Sequence, residues 1–330
     1  MGTATQLVGQ QTQPALKPNH DSALHPPHSG KFSVRTLTAL IICWGLASIA
    51  NAENTPPSSQ ATPPPPLAAQ YHLLKDELAK SIFGSPILLN SQTGSGHAQG
   101  EVYALLDTPF TALQKTLSQP AHWCELAILH VNIKTCTYLD DQVRLFVGRK
   151  HYQTPDEAFA LQYRFTQQAN DQHQLNVMLT APKGPLGTSD YLISLEATPI
   201  DALHSFIRFR YRYQFGFIAK MAMQTYLATL GRNKIGFTVV DTNKKGDAIY
   251  IKGLQGVIER NVMRYIFAIQ SVLDARKSPI EHRHTAQLMR WYAHTQEHPR
   301  QLVELGREEY MSNKQRERSN QQKAQKALLP

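Results

Sequence analysis

Residues 256–275, GVIERNVMRYIFAIQSVLDA, constrain this chain more than any other stretch. Ile258, Val262, Tyr265, Ile266, Ile269, Val272 and Leu273 recur at three- and four-residue spacing, which predicts one apolar stripe along an α-helix. The opposite side is not plainly polar. Arg260 and Arg264 stand there one turn apart, together with Met263 and Phe267. A helix that is apolar on two sides needs cover on two sides. The chain must therefore supply a sheet under this helix and further helices over its back. Leu288, Trp291 and Tyr292, at helical spacing beyond Pro279, are the residues expected to meet the second stripe.

The sheet is legible upstream. Period-two alternation runs through 100–107, 131–139, 143–150, 159–165, 175–181, 191–197 and 207–215, with 85–91 as a first extended piece. Turn residues at Asp140-Asp141, Asn170-Asp171, Lys183-Gly184-Pro185 and Pro199 keep the connections short, so neighbours are antiparallel. In the last run Tyr211, Tyr213 and Phe209 share one side, and Arg208, Arg210 and Arg212 share the other. Helices are expected over 110–117 and 121–129, broken by Pro120, and over 217–230, ended by Gly231. A hairpin follows across 234–252. Strand, helices, long meander and then a long helix give an α+β fold of helix-grip plan: a curved antiparallel sheet wraps the long helix and a cavity opens between them.

The N-terminus points to export. Lys31 and Arg35 precede the apolar run 37–49, and Ala50-Asn51-Ala52 is a small-x-small cleavage signal. The run is short of the ~20 residues a membrane span needs. Residues 1–52 are read as a signal peptide whose first 30 residues are long and polar, with Val34 as an alternative start. Residues 53–70, with Pro63–Pro66, read as a stiff linker. The domain spans 71–278, and 279–330 is a helical extension that packs on it, with helices over about 280–297 and 300–325 split at Pro299; from Arg307 on it is charged and poor in apolar residues, and its end is expected to be a solvated basic tail. The expected location is the periplasm.

Removing residues 1–52 takes away Lys17, Lys31, Arg35 and Asp21, so the formal charge of +9 falls by two. An exported basic protein does not meet nucleic acid; an anionic membrane surface is the expected charged partner. Cys43 leaves with the signal. The remaining pair, Cys124 and Cys136, is expected to form a disulfide in an oxidising compartment.

From about residue 84 to 312 the chain resembles a group of uncharacterised exported bacterial proteins of the START-like superfamily. The matching pieces are His122-Trp123-Cys124, Gly184-Pro185-Leu186-Gly187-Thr188, and Glu259-Arg260-Asn261 with Met263-Arg264-Tyr265. The resemblance implies a cavity for lipids, sterols or other apolar molecules; a minority of that superfamily are enzymes.

Catalytic templates such as GxSxG, HExxH, the P-loop and GxGxxG are missing from the sequence. His282 and His284 lie two apart, which on a helix points them away from each other, and neither a metal site nor a cofactor is expected. His122 and His130 flank Cys124, but an oxidised sulfur is no nucleophile. The expected function is periplasmic binding of an apolar or amphipathic, lipid-like ligand. Glu259, Arg260, Arg264, Tyr163, Phe209, Tyr211 and Tyr213 are the candidates for lining the cavity. The charged three form either a polar floor for a ligand head or ion pairs to neighbouring segments. Two other readings stand beside this: an enzyme using Glu259 or a histidine as acid–base in the same cavity, and an envelope interaction protein whose cavity is filled by side chains.

Overall fold

The computed structural model describes residues 66–229 and 231–329. The residues read as signal peptide, the alternative start and most of those read as linker lie outside the described residues. Helix α1 (Leu67–Leu78) begins inside the stretch read as linker, one residue after Pro66. Strands β1 (Ile87–Gly94) and β2 (His97–Leu106) form a hairpin, followed by the short helices α2 (Phe110–Leu117) and α3 (Pro120–Ala127). Strands β3 (Ile133–Leu139), β4 (Gln142–Val147), β5 (Phe159–Asn170), β6 (Leu175–Lys183), β7 (Thr188–Pro199) and β8 (Ser205–Phe215) are the meander. All eight join one antiparallel sheet in the order β1-β2-β8-β7-β6-β5-β4-β3. Pairing of β8 with β2 puts Phe209 between Val102 and Leu195 at the middle of the sheet.

Helix α4 (Phe217–Ala228) and a separate two-stranded hairpin, β9 (Val239–Thr242) with β10 (Ala248–Tyr250), precede α5 (Gly253–Ala275). Helix α5 lies on the sheet against β1, β2 and β8. Gly100 on β2 lets it come close, since a Cβ there would stand 3.1 Å from Val262. The architecture is the helix grip.

The back of α5 is also covered. Met263 and Phe267 are 0% and 1% exposed. The cover is α6 (Arg283–Glu297) with the single turn α7 (Pro299–Leu302). Phe267 stacks in parallel on His294 at 5.0 Å and on His298 at 6.0 Å. Trp291 donates its indole N–H to the Arg264 carbonyl at 3.1 Å. The extension splits at Pro299, as expected: α6 ends before it and Pro299 opens the turn α7, as suits a residue with no N–H to lose. Helix α1 covers part of the other sheet face, where Leu78, Tyr103 and Phe206 form a second small core.

The last stretch is a helix, as expected, but one face of it is buried rather than solvated. Helix α8 (Arg307–Lys326) buries Tyr310, Asn313, Lys314, Glu317 and Gln321, and packs on β3. Its buried face is polar and hydrogen-bonded. Lys134 donates to Glu317 Oε1 at 2.8 Å and to two carbonyls; Lys314 donates to Glu317 Oε2 at 2.7 Å and to two more. The Gln325 amide bonds both the N–H and the C=O of Tyr138, as a neighbouring strand would. The meander thus closes its last strand with a helix, which removes an edge open to aggregation.

Cys124 on α3 and Cys136 on β3 are bonded, with Cα atoms 5.1 Å apart, so the small helices are stapled to the sheet. Intact mass should rise by two hydrogens on reduction; two free thiols in unreduced protein contradict the bond. Phe267→Ala should cost about 3–5 kcal/mol in urea unfolding, from lost transfer energy plus a cavity. A loss under about 1 kcal/mol would mean that the back of α5 is open.

Candidate functional site

Five tyrosines converge between the sheet and α5. Alternation places Tyr163 of β5, Tyr191 of β7, and Tyr211 and Tyr213 of β8 on the inner face. Tyr265, on the apolar stripe of α5, comes down to meet them. Ring centroids of Tyr191 and Tyr213 are 5.4 Å apart and stacked; Tyr211 lies 5.8 Å from Tyr213 and from Tyr265. Tyr163 meets Tyr191 edge-on at 6.3 Å, and Phe209 backs Tyr265 at 5.7 Å. Gly184 has no side chain because the Tyr191 ring occupies the space a Cβ would take.

The polar ends of these rings set the chemistry. Tyr191 donates to Thr188 Oγ1 at 2.8 Å. The hydroxyls of Tyr163, Tyr211, Tyr213 and Tyr265 make no hydrogen bond with the described residues. None of the four is among the polar atoms sealed from solvent without a partner, so these oxygens border space that a water molecule reaches. Burial, reinforced by the neighbouring phenols, pushes the pKa of Tyr163 and Tyr211 well above the ordinary phenol value, and Tyr213 and Tyr265 are raised too. All therefore remain neutral hydroxyls at physiological pH. His130, whose ring lies tilted 5.4 Å from that of Tyr265, is held neutral by burial and by Arg264, Lys314 and Lys134.

Cavities open at the rims of the sheet. One of about 280 Å³ lies beside Tyr213 at the open end of β2 and β8, lined also by His97, Gln99, Asp190, Arg212 and Gln214. Another of about 280 Å³ lies at the β1 edge, between Phe83 and Phe237. Helix α4 crosses the same end of the sheet as Tyr191 and Tyr213, from β8 over the turn at 185–187 to α5. Ala219 faces inward, whereas Phe217, Ile218 and Met221 are 75%, 69% and 51% exposed.

Of the residues expected to line a cavity, the structure brings together Tyr163, Phe209, Tyr211 and Tyr213. It places the three charged ones elsewhere. Glu259 accepts from the Phe237 and Thr238 N–H groups, the Thr238 hydroxyl and the Ser91 hydroxyl, tying α5 to β1 and to the loop before β9. Both its oxygens are engaged, which leaves no group free for acid–base work. Arg264 pairs with Glu304 at 3.0 Å, and Arg260 approaches the same carboxylate at 3.8 Å. Arg208 and Arg210 pair with Glu101 on the outer sheet face, while Arg212 is exposed. His122 accepts from or donates to no catalytic partner; its Nδ1 meets the Thr116 carbonyl at 2.6 Å. Among the described residues no cluster of three metal-ligating side chains occurs, and no helix is long and apolar enough to cross a membrane.

Sequence reasoning passed over Tyr191, Tyr265 and Glu304. The first two were visible in phase with their own elements, one on an apolar strand face and one on the apolar helix stripe. Glu304 gave no signal, because its four cationic neighbours come from distant segments.

No protein-family model matches the chain, and no curated protein matches it. Among solved structures, the chain is similar to norcoclaurine synthase from Thalictrum flavum in complex with dopamine and hydroxybenzaldehyde. Identity there is 13%, covering 42% of this chain and 87% of that one, with a TM-score of 0.29. It is also similar to the Zhui aromatase/cyclase from Streptomyces sp. R1128, at 10% identity, 61% and 94% coverage and a TM-score of 0.28. A conserved protein from Geobacillus kaustophilus matches at 13% identity, 41% and 85% coverage and a TM-score of 0.29. At these scores the helix-grip architecture stands on strand order and the position of α5 alone.

Acid should unfold the protein in two stages. Burial and Arg318 pull His284 down to about 4 from its ordinary 6.5, so the unfolded chain takes up that proton first and stability falls from pH 6.5 towards 4. Burial pushes the Glu304 carboxyl up, but Arg264, Lys150 and Lys234 outweigh it and hold it at about 2. Its contribution is whole above pH 4.5 and is lost towards pH 2. Thermal melts against pH should show both stages, and His284→Gln should reduce the first, whose remainder belongs to His122, His130, His294 and His298, which burial also holds low. An unchanged profile in that variant would contradict the assignment.

Proposed function

We propose that this protein is an exported binding module that holds a small apolar or amphipathic molecule between its sheet and α5. The observation that carries the reading is the phenol cluster: aromatic walls for an apolar body, and four neutral hydroxyls with no partner among the described residues for its polar end. A buried Tyr hydroxyl ordinarily finds a partner, and an interior that is mostly apolar with a few converging polar groups is what a ligand site looks like. Neutral hydroxyls suit a carbonyl, ester or hydroxyl better than a bare charge. Entry requires the rings to part, and α4 lies across the end of the sheet where they would do so.

The periplasm is the proposed location, and an anionic membrane surface the proposed source of ligand. The outer side of α4 supports this, with Phe217, Ile218 and Met221 exposed beside Lys220. Residues 202–240 contain no Asp or Glu. Exposed apolar side chains among basic ones fit a layer of acidic headgroups.

Delipidated protein exposed to an envelope lipid extract should take up a defined molecule in native mass spectrometry. Tyr163→Phe with Tyr265→Phe should weaken retention about two- to tenfold for each hydrogen bond lost. No uptake by the wild type would leave the filled-interior reading in its place. Separately, flotation with vesicles rich in phosphatidylglycerol should recover the wild type, and Phe217→Ser with Ile218→Ser should abolish recovery. Equal flotation of the variant would remove α4 from the account.

A further inference from the structure

One carboxylate serves four cations on the flank of α5. Glu304 Oε2 accepts from Lys150 Nζ at 2.5 Å and Lys234 Nζ at 2.6 Å. Its Oε1 accepts from Arg264 Nη2 at 3.0 Å and faces Arg260 Nη2 at 3.8 Å. Among the described residues none of these cations has another ion pair, and the nearby Glu259 is spent on Ser91, Phe237 and Thr238. The group therefore carries three more positive charges than negative ones.

Arg260 is the residue least accounted for. It is 4% exposed, yet among the described residues it makes no hydrogen bond, and its Nε and Nη1 are buried without a partner there. The Nε of Arg264 is in the same condition. Burying a guanidinium with its donors idle is costly, and the cost is met by a paired anion. Lys150 and Lys234, at 30% and 25% side-chain exposure, form the side of the cluster that reaches solvent. They come from the segment after β4 and the segment after α4, so the solvent-exposed side of the cluster is formed by two loops.

We infer that Arg260, Arg264, Lys150 and Lys234 form a site for a second anion beside Glu304, an oxyanion of the phosphate class, either free or as the headgroup of a lipid. Arginine matches such a group through its fork of N–H donors, and the two lysines supply flexible point charges at the mouth. The site is separate from the phenol cluster and does not depend on what occupies it.

The test uses the full mature chain and two probes at matched ionic strength set with sodium chloride: inorganic phosphate, and dihexanoyl phosphatidic acid below its micellar concentration. Saturable stabilisation by either supports the site, and the probe that acts identifies the source. At a tenfold excess over its Kd the expected rise in Tm is roughly 3–6 °C. Arg260→Met should abolish the rise, while the Tm without probe stays level or increases, because an unpaired buried charge has gone. Lys150→Met, at a partly exposed position, should weaken binding several-fold with the fold intact, which keeps the test open if the Arg260 variant does not fold. Stabilisation by neither probe in the wild type, or a rise undiminished in both variants, would overturn the inference.

Discussion

The rest of the molecule follows from how α5 is buried. Sixteen of its 23 residues are buried, and they include Glu259, Arg260 and Arg264. An amphipathic helix needs one partner layer; this one needs two, together with compensation for charges that water does not reach. The sheet takes Ile258, Val262 and Tyr265. Helix α6 takes Met263 and Phe267. The charges are met from two directions: Glu259 by hydroxyls and backbone N–H groups of β1 and the loop before β9, and Arg264, with Arg260 at longer range, by Glu304 after α7. Removing any of these covers leaves either apolar surface or an unpaired charge exposed to the wrong medium.

The same logic explains α8. Strand β3 ends the sheet, and its backbone and Lys134 need partners. Helix α8 supplies them through Glu317, Gln325 and Lys314, all polar. Lys314 is drawn down to about 8 by burial, against the opposing pull of Glu317. This is a seam of ions and amides where a layer of leucines would be ordinary, and it fixes one docking register because each group has a single set of partners.

The apolar half of this design was legible in the sequence. The stripe from Ile258 to Leu273, the second stripe at Met263 and Phe267, and the alternation from Phe159 to Phe215 each repeat with the period of their element, and a period is a local property. The polar half was not. Lys134 and Glu317 are 183 residues apart, and nothing near either announces the other. Residues from Arg307 on carry the composition of a solvated tail, and only the presence of Lys134 and the edge of β3 turns one face of that helix inward. The phenol cluster lies between these cases. Tyr163, Tyr211 and Tyr213 were visible as an aromatic strand face, but their meeting with Tyr191 and Tyr265 depends on sheet curvature and helix placement, which no local pattern encodes.

Binding between sheet and helix is the central claim, and the tyrosines themselves report on it. The chain has 13 tyrosines, and the five of the cluster are distinct from Tyr103 on the outer face and Tyr310 under α6. Protein labelled with 3-fluorotyrosine, assigned by single Tyr→Phe variants, should be followed by fluorine NMR as envelope lipid extract is added. The expected result is displacement of the Tyr163, Tyr211, Tyr213 and Tyr265 signals, with Tyr103 and Tyr310 unmoved. Shifts confined to tyrosines outside the cluster, or none at saturating extract, would contradict binding at this place.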